Sequence, residues 1–169
     1  MPDPPVVANT SPLLYLHQID CLHILETLYR TVIVPPAVRE ELGAGQREGF
    51  DVPDLARLGW VQVRPVASAS LVPAIVDLGR GEAEVLALGM EMPHSLLILD
   101  DQLARPIADL HGLQYTGTLG ILVKAKQAGY LPSVREAVAG LCAKGMWLSD
   151  SVVDDALRMS GEQAEGTPP

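Results

Sequence analysis

Short apolar runs alternate with helical segments from residue 4 to residue 120, and this alternation constrains the fold more than any other feature of the chain. Most of these runs are rich in β-branched residues, which favour strands. Strands that alternate with helices are typical of α/β domains with parallel sheets. The sequence therefore predicts an α/β fold with a mostly parallel sheet. The runs are PVVA, TVIVP, WVQVRPV, SLLIL and LQYTG.

Capping and stop residues locate the ends of the helices. Ser11 is predicted to cap the first helix and Asp20 the second, because short polar side chains accept hydrogen bonds from the first free backbone N–H groups. Gly43 is predicted to close the helix AVREEL, which leaves residues 43–54 as a loop. Ser149 and Asp150 are the two candidates for the cap of the last helix.

The length and charge of the chain restrict its class. Its 169 residues predict a single domain over residues 1–160 and a flexible tail over 161–169. No apolar run approaches the roughly 18 to 20 residues of a membrane span, and MPDPPVV lacks the order of a secretory signal, so we expect a cytoplasmic protein. A net charge of -9 argues against a protein that coats nucleic acid, but it is compatible with an enzyme that holds cations.

Carboxylates or their amide stand at four places where the strands and helices begin or end. Asn9 directly follows the first strand, Glu41 lies on a short helix and Glu82 starts an apolar helix, while Asp100 and Asp101 follow a later strand. If parallel strands bring these ends side by side, one oxygen-rich pocket results. Such a pocket suits Mg²⁺ or Mn²⁺, and hydrolysis of a phosphodiester is the chemistry that such sites usually serve.

Each of these residues also has an ordinary structural interpretation. Asn9 fits a turn or a helix cap, and Glu41 fits a solvated helix charge. Glu82 fits an anion near a helix N-terminus, where Glu84 competes for the same role. One of the two adjacent aspartates fits the cap of the following helix. Taken singly, none of them identifies a site.

Four stretches of the chain are informative through their order. They are VVANTSPLLYLHQI, VIVPPAVREEL, LGRGEAEVLALGM and LLILDDQLARPIADLHGLQYTGTLGILVKAKQAGYL. Together they resemble the PIN domain superfamily, in particular a branch of PIN-like nucleic-acid-binding proteins related to the VapC toxins of toxin-antitoxin pairs. The resemblance covers about residues 5–132, and it implies a three-layer PIN-like fold in which helices flank a central, mostly parallel sheet.

The resemblance also implies a site that binds Mg²⁺ or Mn²⁺ for RNA cleavage. The family's acidic positions fall on Asn9, Glu41, Glu82 and on Asp101 or its neighbour Asp100. Asn9 replaces the family's usual aspartate and brings an oxygen ligand without its charge, so we expect reduced but not abolished metal affinity.

The expected mechanism assigns a role to most of these residues. Asp101 and Glu41 would hold the ion, and Glu82 would be a further ligand or an outer-sphere base. Ser11 would orient a ligand or a water. Arg105 is the best placed of the basic residues to contact the RNA backbone, the others being Arg80, Lys124 and Lys126, and a solvated surface position is the alternative for Arg105.

The predicted function is therefore that of a metal-dependent ribonuclease, with RNA as its substrate. The resemblance adds the toxin of a toxin-antitoxin pair, with an antitoxin protein as partner, and a homodimer. The alternative is a non-catalytic PIN-like module that binds RNA or protein through a weakened metal site. A strand followed by two aspartates also occurs in phosphoacceptor receiver domains, but here the pair lies late in the chain.

Overall fold

Five short strands form one parallel sheet in the computed structural model, which describes residues 3–72 and 77–162. Their order in the sheet is β3-β2-β1-β4-β5, and every neighbouring pair is parallel. The predicted α/β fold is confirmed. Strand β1 is buried along its whole length, as expected for a central strand covered on both faces. The strands are β1 (Val6–Ala8), β2 (Val32–Val34), β3 (Val61–Val63), β4 (Leu96–Ile98) and β5 (Gln114–Thr116).

Helices flank the sheet in the three-layer arrangement. From β1 the chain builds outward through β2 to β3, and it then crosses back to β4 and β5 on the other side of β1. Right-handed crossovers that run in opposite directions put their helices on opposite faces of a sheet. The helices are α1 (Thr10–Gln18), α2 (His23–Tyr29), α3 (Pro36–Arg47), α4 (Arg80–Glu91), α5 (Ala104–Leu110), α6 (Thr118–Gln127), α7 (Val134–Ala143) and α8 (Asp150–Met159).

The core lies between the sheet and these helices. Helix α6 contacts both α1 and α2, and α4 contacts α5. Each large apolar side chain that is fully buried contributes about 1.5–3 kcal/mol relative to an exposed one. This packing fixes the positions of the strand ends. The largest fully buried side chains are Leu13, Leu16, Ile24, Leu25, Leu86, Leu88, Leu97, Ile98, Leu99, Ile121, Leu122 and Leu141.

Strands β1 and β4 end together at the centre of the sheet. Ala8 is in register with Ile98, and the backbone N–H of Asn9 donates to the carbonyl of Ile98 at 2.9 Å. The strand order reverses between β1 and β4, which makes this edge a topological switch point. Ligands of open α/β sheets bind beyond the carboxyl ends of the strands at such points.

The helix starts differ in part from the predictions. Of the two candidates for the cap of α8, Ser149 is the cap, since its hydroxyl accepts a hydrogen bond from the N–H of Val152 at 3.4 Å, and Asp150 is the first helical residue. Helix α1 begins before Ser11, so the prediction that Ser11 is its cap is wrong. The prediction for Asp20 is also wrong, because Leu22 precedes α2 and Asp20 adopts a turn with φ of 57°.

Helix α3 is longer than predicted. It continues through Gly43 to Arg47, so residues 43–47 are helical and the chain leaves the helix at Glu48. A glycine inside a helix costs about 1 kcal/mol relative to alanine, and packing of buried side chains such as Leu42 offsets that cost. Gly49, with φ of 85°, is the glycine that ends the helical path.

None of the helices within residues 3–72 and 77–162 combines the length and the hydropathy that a membrane span requires.

Glu162 joins the end of the described chain to the start of α7. Its carboxylate accepts hydrogen bonds from the N–H groups of Val134 at 2.6 Å and Arg135 at 2.9 Å, and Lys126 Nζ lies 3.6 Å away. Partial burial opposes its ionisation, but these hydrogen bonds and the lysine charge outweigh burial and lower the pKa of Glu162. Of the tail predicted over 161–169, residues 163–169 lie outside the described residues.

Replacing Glu162 with glutamine is expected to lower the free energy of unfolding by about 1 kcal/mol near neutral pH, because the helix N-terminus loses a charged partner. A carboxyl whose pKa is lowered by folding stabilises the protein above its unfolded pKa, and this contribution disappears as the pH falls through its folded pKa. The difference between wild type and Glu162→Gln should therefore shrink on acidification. Urea unfolding at a series of pH values measures it.

The matched control is Glu48→Gln, which removes an exposed carboxylate after α3. We expect it to leave the unfolding free energy within about 0.5 kcal/mol of wild type. A Glu162→Gln difference that stays constant from neutral to acid pH would contradict the role of the charge.

Candidate metal centre

Asn9 lies at the centre of the candidate site. It follows β1 and precedes α1, and it is only 1% exposed. Its side chain does not cap α1, although asparagine is a favoured cap. Nδ2 instead donates a hydrogen bond to Oε1 of Glu82 at 2.8 Å. Because an ionised carboxylate only accepts hydrogen bonds, this contact fixes which way the amide of Asn9 points.

Glu41 reaches the same place from α3. One of its carboxylate oxygens accepts a hydrogen bond from the N–H of Gly81 at 3.0 Å, and the other accepts one from the hydroxyl of Thr10. Gly81 lies in the first turn of α4, so Glu41 interacts with the positive end of a neighbouring helix. The contacts thus join residues of α1, α3 and α4 at one end of the sheet.

A small space beside Gly81 is bordered by oxygens. A methyl group added to Gly81 would lie 2.9 Å from both carboxylate oxygens of Glu41 and 3.1 Å from Oδ1 of Asn9. Among the described residues, Oδ1 of Asn9 is the one buried side-chain polar atom without a hydrogen-bond partner. A buried polar atom without a hydrogen bond lowers the stability of the folded protein by about 1–3 kcal/mol, and buried polar groups normally have a hydrogen-bond partner. A hydrogen-bond donor or a cation placed in this space would therefore supply the partner that this oxygen needs.

The two glutamates at the start of α4 have different partners. The carboxylate of Glu82 contacts Asn9 and folds back over Gly79, which leaves no room there for a side chain. Glu84 accepts a hydrogen bond from the N–H of Ala37 at 2.9 Å, at the start of α3, and pairs with Arg80 at 3.4 Å. Glu84, the competitor considered from the sequence, thus faces the start of α3.

The two adjacent aspartates also diverge. Asp101 accepts hydrogen bonds from the N–H groups of Leu103 and Ala104, both at 2.8 Å, and so caps the start of α5. Asp100 accepts from the N–H of Thr118 at 2.8 Å and from its hydroxyl at 2.6 Å. Asp100 is therefore held between the ends of β4 and β5.

The structure brings together three of the predicted ligands. Asn9, Glu41 and Glu82 are linked through Thr10 and Gly81 by the contacts described above. Across residues 3–72 and 77–162, no hydrogen bond joins either aspartate to these three, and no three His, Cys, Asp or Glu side chains gather closely enough to hold a metal by themselves. The aspartates share only the sheet edge with the other ligands.

The two predicted substrate contacts lie nearby. Thr10, and not Ser11, supplies the hydroxyl that contacts Glu41. Arg105 donates from Nε and Nη2 to the carbonyl of Leu99, at 3.3 and 3.1 Å, and its guanidinium lies 5.3 Å from the ring centre of Tyr115. Arg105 is thus fixed against the end of β4.

The sequence did not identify three residues that shape this edge, namely Thr10, Gly81 and Thr118. In the sequence, Thr10 is one of two adjacent small hydroxyl residues that follow Asn9, the other being Ser11. Thr118 is fully buried and follows β5 in the stretch TGT, where a threonine after a strand is an ordinary helix start. The role of Gly81 depends on a missing side chain, which no pattern in the sequence reports.

The donor set fits a hard divalent cation. All candidate ligand atoms are oxygens, and Mg²⁺ usually keeps several waters while one or two protein carboxylates bind it. The carboxylates of Glu41 and Glu82 with the amide oxygen of Asn9 meet that requirement without a third acidic side chain. The unpartnered Oδ1 of Asn9 beside Gly81 is the atom that a cation would stabilise.

A family model described as a PIN domain matches residues 5–162 of the chain. Searches of curated proteins and of solved structures give no significant match.

Replacing Asn9 with aspartate is expected to destabilise the metal-free protein by about 1–3 kcal/mol, because a hydrogen-bond donor to Glu82 becomes a second carboxylate. Chemical unfolding in the presence of a chelator measures this cost. The double variant Asn9→Asp with Glu82→Gln is the control, since an amide again faces a carboxylate. If Asn9→Asp destabilised the wild type and the Glu82→Gln variant equally, the result would contradict the hydrogen bond between Asn9 and Glu82.

Proposed function

The chain belongs to the PIN domain family, whose members are generally nucleases, and on that premise we propose that it is a metal-dependent ribonuclease. One observation carries the proposal: the unpartnered Oδ1 of Asn9 faces the carboxylate of Glu41 across the space beside Gly81. PIN domains typically use divalent metals, and this oxygen-lined space has the chemistry that such an ion prefers. The edge where it lies is the switch point of the sheet.

Mg²⁺ or Mn²⁺ would be held by Asn9, Glu41 and Glu82, which approach from β1, α3 and α4. When bound, such an ion supplies activation of water and neutralisation of the charge that develops on the phosphate. The carboxylates of Glu41 and Glu82 keep lone pairs beyond their present hydrogen bonds, so either can accept a proton from a water at the edge of the space.

The neighbouring residues would hold these groups in position. Thr10 and the N–H of Gly81 orient the carboxylate of Glu41, and the amide of Asn9 orients that of Glu82. Polar groups that are already in position before the reaction begins need not rearrange as the transition state forms. This preorganisation is the main source of electrostatic catalysis. The N-terminus of α4 also favours the negative charge that collects here.

We propose Asp100, and not Asp101, as the acidic residue that β4 contributes. One Oδ of Asp101 already accepts two backbone hydrogen bonds of α5, the pattern of a helix cap. Asp100 faces the gap between β4 and β5 and is oriented by Thr118, as a residue that acts on a ligand or its water shell would be. The assignment of Asp101 as the ligand stays a prediction from the sequence.

A second candidate function is a non-catalytic PIN-like module that binds RNA or protein. It is favoured by the hydrogen bond from Asn9 to Glu82, which gives one carboxylate a neutral partner in the absence of metal. Backbone N–H groups of α4 and α6 likewise satisfy Glu41 and Asp100. The two candidates differ in a single measurement, the cleavage of RNA in the presence of metal.

The finer assignments stay predictions. The toxin role, the antitoxin partner and the homodimer come from the resemblance, and the cytoplasmic location comes from the pattern of the sequence. The apolar helices before Ile19 and around Leu28 are the candidates for a homodimer face. Both residues are half-buried against the core of their own chain, and α1 and α2 contact α6. Light scattering at micromolar concentration measures whether a dimer forms.

Replacing Gly81 with alanine is expected to weaken Mn²⁺ binding about tenfold or more, since the new methyl group displaces the Glu41 carboxylate and crowds Asn9. The matched control is Gly43→Ala on α3, where the nearest atom to the added methyl group is Nη1 of Arg47 at 3.5 Å. Titration calorimetry with Mn²⁺ compares the two. Equal affinities, or no binding by the wild type at millimolar metal, would contradict the metal proposal.

Glu41→Gln and Asp100→Asn are expected to reduce cleavage of a mixed pool of structured and single-stranded RNAs by at least about 10- to 100-fold. Asp101→Asn should change cleavage less, and its main effect should be on stability. Glu40→Gln is the control, because Glu40 neighbours Glu41 but pairs with Arg80 on the surface. Wild-type protein that cuts no RNA with either metal would favour the non-catalytic module.

A further inference from the structure

A cavity of about 660 Å³ opens beside Asp100, on the side of the sheet edge away from Glu41. It lies between the ends of β4 and β5 and the segment that joins α7 to α8. We call it the Trp147 cavity, and its volume is within the range of about 300–1,000 Å³ found for small-ligand sites. Among the residues that line it are Asp100, Gln102, Arg105, Tyr115, Trp147 and Val152.

Trp147 is the most unusual residue of this cavity. The chain has two tryptophans, of which Trp60 is 9% exposed and packed in the core, whereas Trp147 is 85% exposed. An indole carries a large apolar surface, and tryptophan is highly buried on average and enriched at interfaces, so an exposure of 85% is unusual. Val152, which also lines the cavity, is 45% exposed and widens this apolar surface.

Polar groups of the cavity face the same space. The guanidinium of Arg105 is held in place before any ligand binds. It donates two hydrogen bonds to the carbonyl of Leu99, and it also lies over the ring of Tyr115. Within the described part of the chain, Nη1 of Arg105 has no hydrogen-bond partner, so it is available to a phosphate or a base edge. The exposed amide of Gln102 offers both a donor and an acceptor.

We propose that the Trp147 cavity binds one unstacked base of a single-stranded RNA on the indole of Trp147, with Arg105 contacting the adjoining backbone or base edge. An aromatic platform beside a fixed arginine is the arrangement by which proteins bind single strands. Asp100 borders both this cavity and the candidate cleavage site, so a strand bound here continues toward Glu41. The inference deepens the proposed function and rests on it for the identity of the strand.

The test is quenching of tryptophan fluorescence by oligonucleotides of adenosine or uridine about ten nucleotides long. Binding is measured on the wild type with a chelator and on Glu41→Gln with Mg²⁺, so that the RNA stays intact. Stacking on Trp147 should quench its emission, while the buried Trp60 supplies a constant background. Trp147→Ala should weaken binding about tenfold, as measured by the anisotropy of labelled RNA, and Trp147→Phe should restore most of it.

Tyr130→Ala is the matched control, because Tyr130 is an exposed aromatic residue beyond the far end of α6. It should leave RNA affinity unchanged. Unquenched wild-type emission at saturating RNA, or equal RNA affinity of Trp147→Ala and wild type, would overturn the inference. Loss of self-association alone in Trp147→Ala, seen by light scattering, would also overturn it and assign the surface to a second copy of the chain.

These results separate the two proposals. Quenching that depends on Trp147 without any cleavage would retain the base-binding cavity and reject the nuclease. Metal-dependent cleavage that is unchanged in Trp147→Ala would retain the nuclease and reject the cavity.

Discussion

Hydrogen bonds from helix N-termini to carboxylates organise the carboxyl edge of this sheet. In a parallel sheet the helices that follow the strands begin at that edge, so their free N–H groups meet there. Gly81 of α4 donates to Glu41, and Thr118 of α6 donates to Asp100. Each contact joins residues far apart in the chain, and together they allow negative charge to collect without a bound ion.

Asn9 sets the character of the site within this edge. As a neutral amide it donates to Glu82, so the metal-free site avoids placing two carboxylates in contact. The same hydrogen bond turns Oδ1 toward the space beside Gly81 and leaves it without a partner. One residue thus supports both the nuclease and the non-catalytic alternative, since its amide gives Glu82 a neutral partner and its oxygen is available as a ligand.

Much of the fold was predictable from local patterns. The five runs of apolar and β-branched residues predicted the strands, although only β1 is buried along its whole length and the edge strands β3 and β5 are partly exposed. A capping candidate, Ser149, marked the start of α8. Predictions based on a single residue failed where packing outweighed local preference. Gly43 does not end α3, and Asp20 caps no helix. In both places a local preference of about 1 kcal/mol met the larger free energy of core packing.

The sequence by itself determined the succession of strands and helices along the chain. It also identified five candidate polar residues, since strand ends and helix starts are local features. Tertiary structure decided which of these residues meet. Glu82 and Glu84 lie in the same turn of α4, and Asp100 and Asp101 are adjacent, so no periodicity separates the members of either pair. The four carboxylates differ in the helix N-terminus or side-chain amide from which each one accepts a hydrogen bond. That choice depends on contacts between segments distant in sequence, which a single strand or helix cannot encode.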